Sequence, residues 1–460
     1  MNSFFNAGSV IRGLSLVLLA MASAACQAQA SPPAKTEITL MRFFGSCEAK
    51  YGKLIDTRQA VGECGIITTL VNEFNATNRD GIVVKTQIAE WGPYYDQITA
   101  RLVARDVPTV AVMHESLLGD YVRRKLVSPL DEGFRAVGVN PADFTDHARR
   151  GVTFDGVSYA LPFDTWSWLW HFNMNLMRQA GLVNADGSPK LPHSEAELFA
   201  HARQFKAATG KPYFAWAAAN EPSANTRTFL TLLYQMQGQL FAADGRRIDM
   251  QIPQARQALD LMLRLYREGH VKPNQDYAGA QQSFLGGEVG VNIIGTWTID
   301  QFMAEARKTE SPLYAADGKG YAVTAFPQLF GRQAAYADGH AWVMFNGLRG
   351  GGPTPAQRQA GFKLLKFFYD RNLEWARTGH LPTRNSVANS TEFQRLPFRG
   401  ALAEITHTGV SVPNNVPTQR AVEALVGEDI SNLLVSGKPM DAVLANIDKR
   451  VNAALKRARR

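Results

Sequence analysis

Residues 162–173 run Pro162-Phe163-Asp164-Thr165-Trp166-Ser167-Trp168-Leu169-Trp170-His171-Phe172-Asn173. Read as a strand, the two-residue period puts Asp164, Trp166, Trp168 and Trp170 on one face. A carboxylate among indoles is costly in a core, because a buried charge needs a partner. At the edge of a cleft the same set is productive. Indole faces stack on the apolar C–H faces of a sugar ring, and a carboxylate accepts hydrogen bonds from its hydroxyls. Trp166, nearest Asp164, reads as a cleft residue, whereas Trp168 and Trp170 read as core. A hydrolase would draw a carboxylate pair from Glu48, Glu115 and Asp164. No G-x-S-x-G, H-E-x-x-H, C-x-x-C or Walker A pattern occurs. A secreted glycosidase is therefore a remote alternative, and the chain is read as a non-enzyme with neither cofactor nor metal.

The N-terminus points to export. Arg12 precedes the apolar run Leu14 to Ala22, which is too short for a bilayer span and reads as a secretory signal. Two processing routes stay open. Ala28-Gln29-Ala30 is a cleavage site giving a signal of 1–30, and Ser23-Ala24-Ala25-Cys26 resembles a lipobox that would lipidate Cys26 after removal of 1–25. With Cys26 spent, Cys47 and Cys64 form an even pair, which in an oxidising compartment predicts a disulfide. The net charge of +8 does not make a nucleic-acid binder, since the basic residues are scattered and the densest cluster, Lys456 to Arg460, is terminal. The 430 residues left after position 30 exceed one ordinary core and suit two lobes.

Strand and helix patterns alternate through the first half. Strands are predicted at 37–44, 81–88 and 108–113, and helices at 64–78, 91–106 and 117–125. This is the signature of an α/β lobe with a largely parallel sheet. In the second half Ser194 and Glu197 open a helix. Helices are predicted at 226–237, 253–268, 280–286, 355–369 and 422–455, and strands at 289–294, 321–326 and 341–345.

In order and spacing these pieces resemble the extracellular solute-binding proteins of ABC transporters, in particular the sugar-binding branch that includes maltose-binding protein. The motifs are "TLMRFFG", "WGPYYDQITARLVARDVPTVAVMHESLLGDYVRRKLVSPLDE", "DGVSYALPFDTWSWLWHFNMNLMRQAGL", "FLGGEVGVNIIGTW", "DGHAWVMF" and "LPTRNSV". The segment from Cys47 to Cys64 departs from the pattern, where the family's first loop meets ligand. The resemblance implies a type II periplasmic-binding-protein-like fold, α/β, with the ligand cleft between two lobes. These would be 37–162 plus 326–370 and 163–325 plus 371–460. It implies a monomeric, periplasmic binding component that closes on a sugar and delivers it to permease subunits. An anionic sugar acid or other acidic solute is the alternative cargo.

The resemblance also distributes site roles. His114 and Glu115 end a parallel strand, where open α/β sheets bind ligands. Trp166 matches a variable cleft position, with Asp164 beside it. Trp297 matches a stacking aromatic, and Gly295 would let backbone approach the ligand. Gly339 and His340 match a glycine-containing turn, and Arg384 either meets the ligand or braces the hinge. Trp91, Tyr94 and Tyr95 open a helix that meets sugar or simply packs, and Trp216 and Asn220 are further candidates.

Overall fold

The computed structural model describes Met1, residues 35–347 and residues 351–458. The export signal, Cys26, the Ala28-Gln29-Ala30 site and the last two arginines lie outside them. Among the described residues no helix is long and apolar enough to cross a membrane. The first half alternates as its periodicities dictate: β1 (Thr36–Arg42), α1 (Gly62–Thr77), β2 (Ile82–Ile88), α2 (Trp91–Ala104), β3 (Val110–His114) and α3 (Glu115–Arg123). The aromatic run is one long strand, β4 (Leu161–Asn173), and all of it is buried. Asn173 ends it by capping the next helix, its side chain accepting from Asn175 N and Leu176 N. After it come α4 (Glu195–Thr209), β5 (Phe214–Ala215), α5 (Pro222–Gln235), α6 (Pro253–Arg267), α7 (Tyr277–Leu285), β6 (Val291–Gly295) and β7 (Tyr321–Ala325). Ser194 caps α4 by accepting from Glu197 N. The chain closes with β8 (Ala335–Val343), α8 (Pro355–Asp370), β9 (Gly409–Val410), α9 (Gln419–Leu434) and α10 (Met440–Arg457). The helical region expected over 422–455 is thus two helices, parted where Gly437 takes a φ of 66° and Pro439 follows.

Among the described residues nine strands form one mixed sheet. β1 pairs in parallel with β2 and β3. β8 runs antiparallel to both β3 and β4, and β4 runs antiparallel to β6 and β7. The apolar cores divide along this sheet. One gathers Leu40, Val112, Phe163, Trp342, Phe368 and Trp375. The other side gathers Trp166, Trp170, Phe214 and Leu259, with a satellite around Leu169, Phe302 and Tyr321. The chain changes core within β4 between Phe163 and Trp166, within β8 between Ala337 and Ala341, and between Trp375 and Ala376. The second change comes later than the expected position near Phe326, because β7 still pairs with residues 169–173 of β4.

Gly339 and His340 do not form a turn. They lie inside β8, paired with Thr165 and Asp164, and the register shifts between His340 and Ala341. Bulges of this kind re-aim side chains and cluster beside functional sites. Gly339 is required there, since a Cβ would stand 2.5 Å from Glu115 Cδ and 2.6 Å from the Asp164 carbonyl oxygen.

Candidate functional site

A cavity of about 380 Å³ opens where the two cores meet. It falls within the range of roughly 300–1,000 Å³ typical of small-molecule sites. From the first half come Phe43 and Phe44 after β1, Glu63 in the first turn of α1, Trp91 at the start of α2 and His114 at the end of β3. The second half supplies Trp166 and Trp168 from β4, Glu221 and Arg227 at α5, Tyr277 from α7, and Asn292 and Trp297 in and after β6. His340 comes from β8, the strand shared by both.

Three indoles frame the second half. Trp166 and Trp297 meet edge to face at 5.5 Å, and Trp168 lies 6.0 Å from Trp297 at 54°. Trp297 Nε1 donates to the Tyr277 hydroxyl at 2.8 Å, which fixes the ring. Trp168 Nε1 donates to Thr228 Oγ1, whereas Trp166 Nε1 and both side-chain polar atoms of Asn292 have no partner among the described residues. Buried polar atoms left unpaired cost about 1–3 kcal/mol each, so such groups await a ligand or a water. Arg227 lies over the Trp166 ring at 4.7 Å and donates through Nε to Glu423 at 2.8 Å. Although burial alone would lower it, Glu423 and neighbouring acidic groups raise the guanidinium above its ordinary pKa.

Behind this wall stands a buried polar cluster. Asp164 is fully buried, and its carboxylate accepts from His340 N at 3.1 Å, His340 Nδ1 at 3.0 Å and Trp375 Nε1 at 2.6 Å. Burial works against its charge, but His340 and His380 with these hydrogen bonds hold its pKa below the usual range. His380 Nε2 donates to Glu63 Oε1 at 2.8 Å. Its pKa is raised although burial opposes this, because Asp164 and Glu63 favour the cation. Burial, and after it the neighbouring His340, lowers the pKa of His114 well below its ordinary value. The Tyr95 hydroxyl accepts from His114 N and is 2.6 Å from His114 Nδ1, so the tyrosine fixes the imidazole.

The sequence-predicted residues sort by this geometry. Trp91, His114, Trp166, Trp297 and His340 line the cavity. Asp164 and Tyr95 lie one layer back, holding His340 and His114. Glu115 faces away: its buried carboxyl packs against Gly151 and Gly339, and burial pushes its pKa well up. Gly295 does not open the backbone to a ligand, because the Trp297 ring covers it and a Cβ would meet Trp297 Cζ3 at 2.0 Å. Trp216 is packed in the second core against Phe214 rather than in the cavity wall. Arg384 is also outside, bonded to Asp143 at 2.8 Å and lying over the Tyr369 ring. Trp168, read as core, reaches the cavity, while Trp170 is enclosed by Phe214 and Phe326. Sequence reasoning missed Glu63, Glu221, Arg227, Tyr277 and Asn292. Glu63 had one visible signal, its place beside Cys64.

Cys47 and Cys64 are disulfide-bonded, with Cα atoms 5.8 Å apart. The loop they close reaches the second half, where Gly62 N donates to Asp300 and Arg377 donates to the Thr57 carbonyl.

Residues 69–400 match the sequence pattern described as bacterial extracellular solute-binding protein. No curated protein sequence matches the chain. Among solved structures, maltose-bound MalE3 of T. maritima is similar at 20% identity with a TM-score of 0.74, covering 91% of this chain and 99% of that one. The GacH receptor of Streptomyces glaucescens, described unliganded and with acarbose, gives 17%, 0.75, 92% and 99% on the same measures. UgpB of Mycobacterium tuberculosis, in complex with glycerophosphocholine, gives 17%, 0.71, 92% and 99%. These likenesses establish the α/β solute-binding fold.

Proposed function

The chain belongs to the bacterial extracellular solute-binding protein family, and on that premise we propose that it is the binding component of an ABC importer whose cargo is a neutral sugar, an oligosaccharide or a sugar alcohol. The observation that carries this reading is the aromatic frame of Trp166, Trp168 and Trp297 around a cavity with hydrogen-bonding side chains in its wall. Indoles stack on sugar rings, and the unpaired amide of Asn292 offers a hydroxyl pair both a donor and an acceptor. MalE3 with maltose and GacH with acarbose are in keeping with a carbohydrate. UgpB with glycerophosphocholine means that the cavity, rather than the fold, must decide the cargo.

An acidic cargo has less support. Arg227 is already paired with Glu423, Arg384 lies elsewhere, and Glu63, Glu90 and Glu221 would oppose an anion. In this reading the lobes close as a hinge motion about β4, β8 and the segment near Trp375, and permease subunits read the closed form. The protein works as a monomer in the periplasm, either free or anchored through Cys26, and returns its cargo unaltered. With the crossings taken where the cores change, the lobes are 37–163 plus 341–375 and 166–337 plus 376–458, the second and third crossings lying later than the expected 326 and 371.

Tryptophan emission tests the placement of the cargo. A saturable change on titration with neutral sugars or sugar alcohols is expected, and in Trp297→Ala its midpoint should move to higher concentration. A saturable change with sugar acids alone would overturn the choice of cargo.

A further inference from the structure

Glu63, His340 and His380 come from three segments that are distant in sequence, namely the start of α1, the middle of β8 and the stretch after Trp375. Their ligand atoms nevertheless lie within 4.8 Å of one another. Both histidines are buried. From this convergence we infer that His340 Nε2, His380 Nε2 and a Glu63 carboxylate oxygen form a binding site for a divalent transition-metal ion of the zinc class. This goes beyond the sugar reading and does not depend on it.

The arrangement behind the histidines argues for the ion. Metal-ligating imidazoles turn their second nitrogen to a carboxylate, which fixes the tautomer and the ring. Asp164 takes that place for His340 and stands close behind His380. Its carboxylate accepts from His340 Nδ1 at 3.0 Å and lies 3.8 Å from His380 Nδ1, which also has Thr296 Oγ1 at 3.2 Å. With the Nδ1 atoms so occupied, Nε2 is the ligand atom of each ring, and that of His380, now 2.8 Å from Glu63 Oε1, would give up its proton to the ion. A tetrahedral zinc ion with bonds of about 2.0 Å has ligand atoms about 3.3 Å apart. Glu63, partly exposed in the first turn of α1, already has Oε1 at 2.8 Å from His380 Nε2, and small side-chain turns adjust it to an ion between the rings. Two imidazoles and one carboxylate suit zinc, cobalt or iron(II) rather than calcium or magnesium, which take oxygen ligands. Three protein ligands leave a coordination position open, and Glu63 and His340 both line the cavity. An oxygen of the cargo would take that position.

The competing arrangement is a proton: His380 as a cation between Glu63 and Asp164, with no ion. Cobalt(II) distinguishes the two, since its visible absorption reports bound nitrogen and oxygen ligands directly. Untagged protein is stripped with chelator, titrated with Co²⁺ and then with Zn²⁺, and compared with Glu63→Gln and His340→Gln. Glu63 is partly exposed, so its variant is expected to fold; stoichiometry of the unmodified protein by equilibrium dialysis needs no variant at all. The inference expects one equivalent of Co²⁺, displaced by Zn²⁺, with binding at least tenfold weaker in each variant. Absence of a cobalt band would overturn it, as would a band undiminished in Glu63→Gln or one removed by substituting the exposed His193. Sugar titrations of the same samples with and without chelator separate the two readings. Sugar binding without any metal binding defeats this inference alone, and metal binding without any sugar binding defeats the cargo reading alone.

Discussion

Replacing Trp297 with alanine is the sharpest perturbation of the cavity. The indole lies over Gly295, touches Trp166 and Trp168, and is held by the Tyr277 hydroxyl. It is only half-buried, so its loss removes cavity wall rather than deep core. A large side chain buried against a ligand contributes about 1–3 kcal/mol. At about 1.4 kcal/mol per tenfold, the dissociation constant should rise roughly 5- to 150-fold. Trp297→Phe keeps a stacking face and loses the bond to Tyr277, so it should lie between the two. Gly295→Ala supplies an independent check. The added methyl would meet the Trp297 ring at 2.0 Å and displace it, so affinity should fall although Gly295 itself lines nothing. The assay is calorimetric titration of each variant, with circular dichroism to confirm folding. A folded Trp297→Ala protein with unchanged affinity would refute the placement of the cargo.

Further outcomes follow from buried groups. His147 is buried, and burial lowers its pKa to about 4 against about 6.5 when unfolded. The unfolded chain therefore takes up a proton first as pH falls, and stability drops by about 3 kcal/mol between pH 6.5 and pH 4; urea titrations across that window should show a shallower loss in His147→Gln. Removing the Cys47–Cys64 bridge frees a loop of 17 positions. The entropy of closing a loop of this size is worth about 3 kcal/mol, so Cys47→Ala with Cys64→Ala should lower Tm by several degrees in calorimetry. Gly339→Ala forces a methyl against Glu115 and the Asp164 carbonyl, and should cost about 1–3 kcal/mol of stability by chemical denaturation.

Much of the fold was legible because the periodicities were clean. The strands and helices from 36 to 123 lie within a few residues of their predicted places, as local patterning and packing agree there. β8 was seen only from Ala341, since Ala335-Tyr336-Ala337-Asp338-Gly339 has weak strand propensity and is held by pairing with β9 at its start and β4 after it. In the site, aromatic clustering on β4 exposed Trp166, but period two could not separate Trp168 from Trp170. What separates them is the neighbour. Trp168 pairs with Gly295, which has no side chain, whereas Trp170 pairs with Ile293 and is covered by Phe214. Arg227 and Tyr277 stand on ordinary-looking helices, and Glu63 meets His340 and His380 only through tertiary packing, so no spacing in the chain announces them. Of the two roles open to Arg384 the cavity excludes ligand contact and leaves the brace, through Asp143 and the Tyr369 carbonyl, a partnership too remote in sequence for spacing to announce.

The central claim is that the cavity between the cores binds a neutral carbohydrate and returns it unchanged. A ligand that binds only the folded protein raises its melting temperature. The most direct measurement is thus a thermal-shift screen of the mature protein against neutral sugars, oligosaccharides, sugar alcohols and sugar acids, with mass analysis of the recovered compound. A clear rise with a neutral sugar or sugar alcohol, recovered intact, is the predicted result. A rise with acids alone, or recovery of a cleaved sugar, would contradict it.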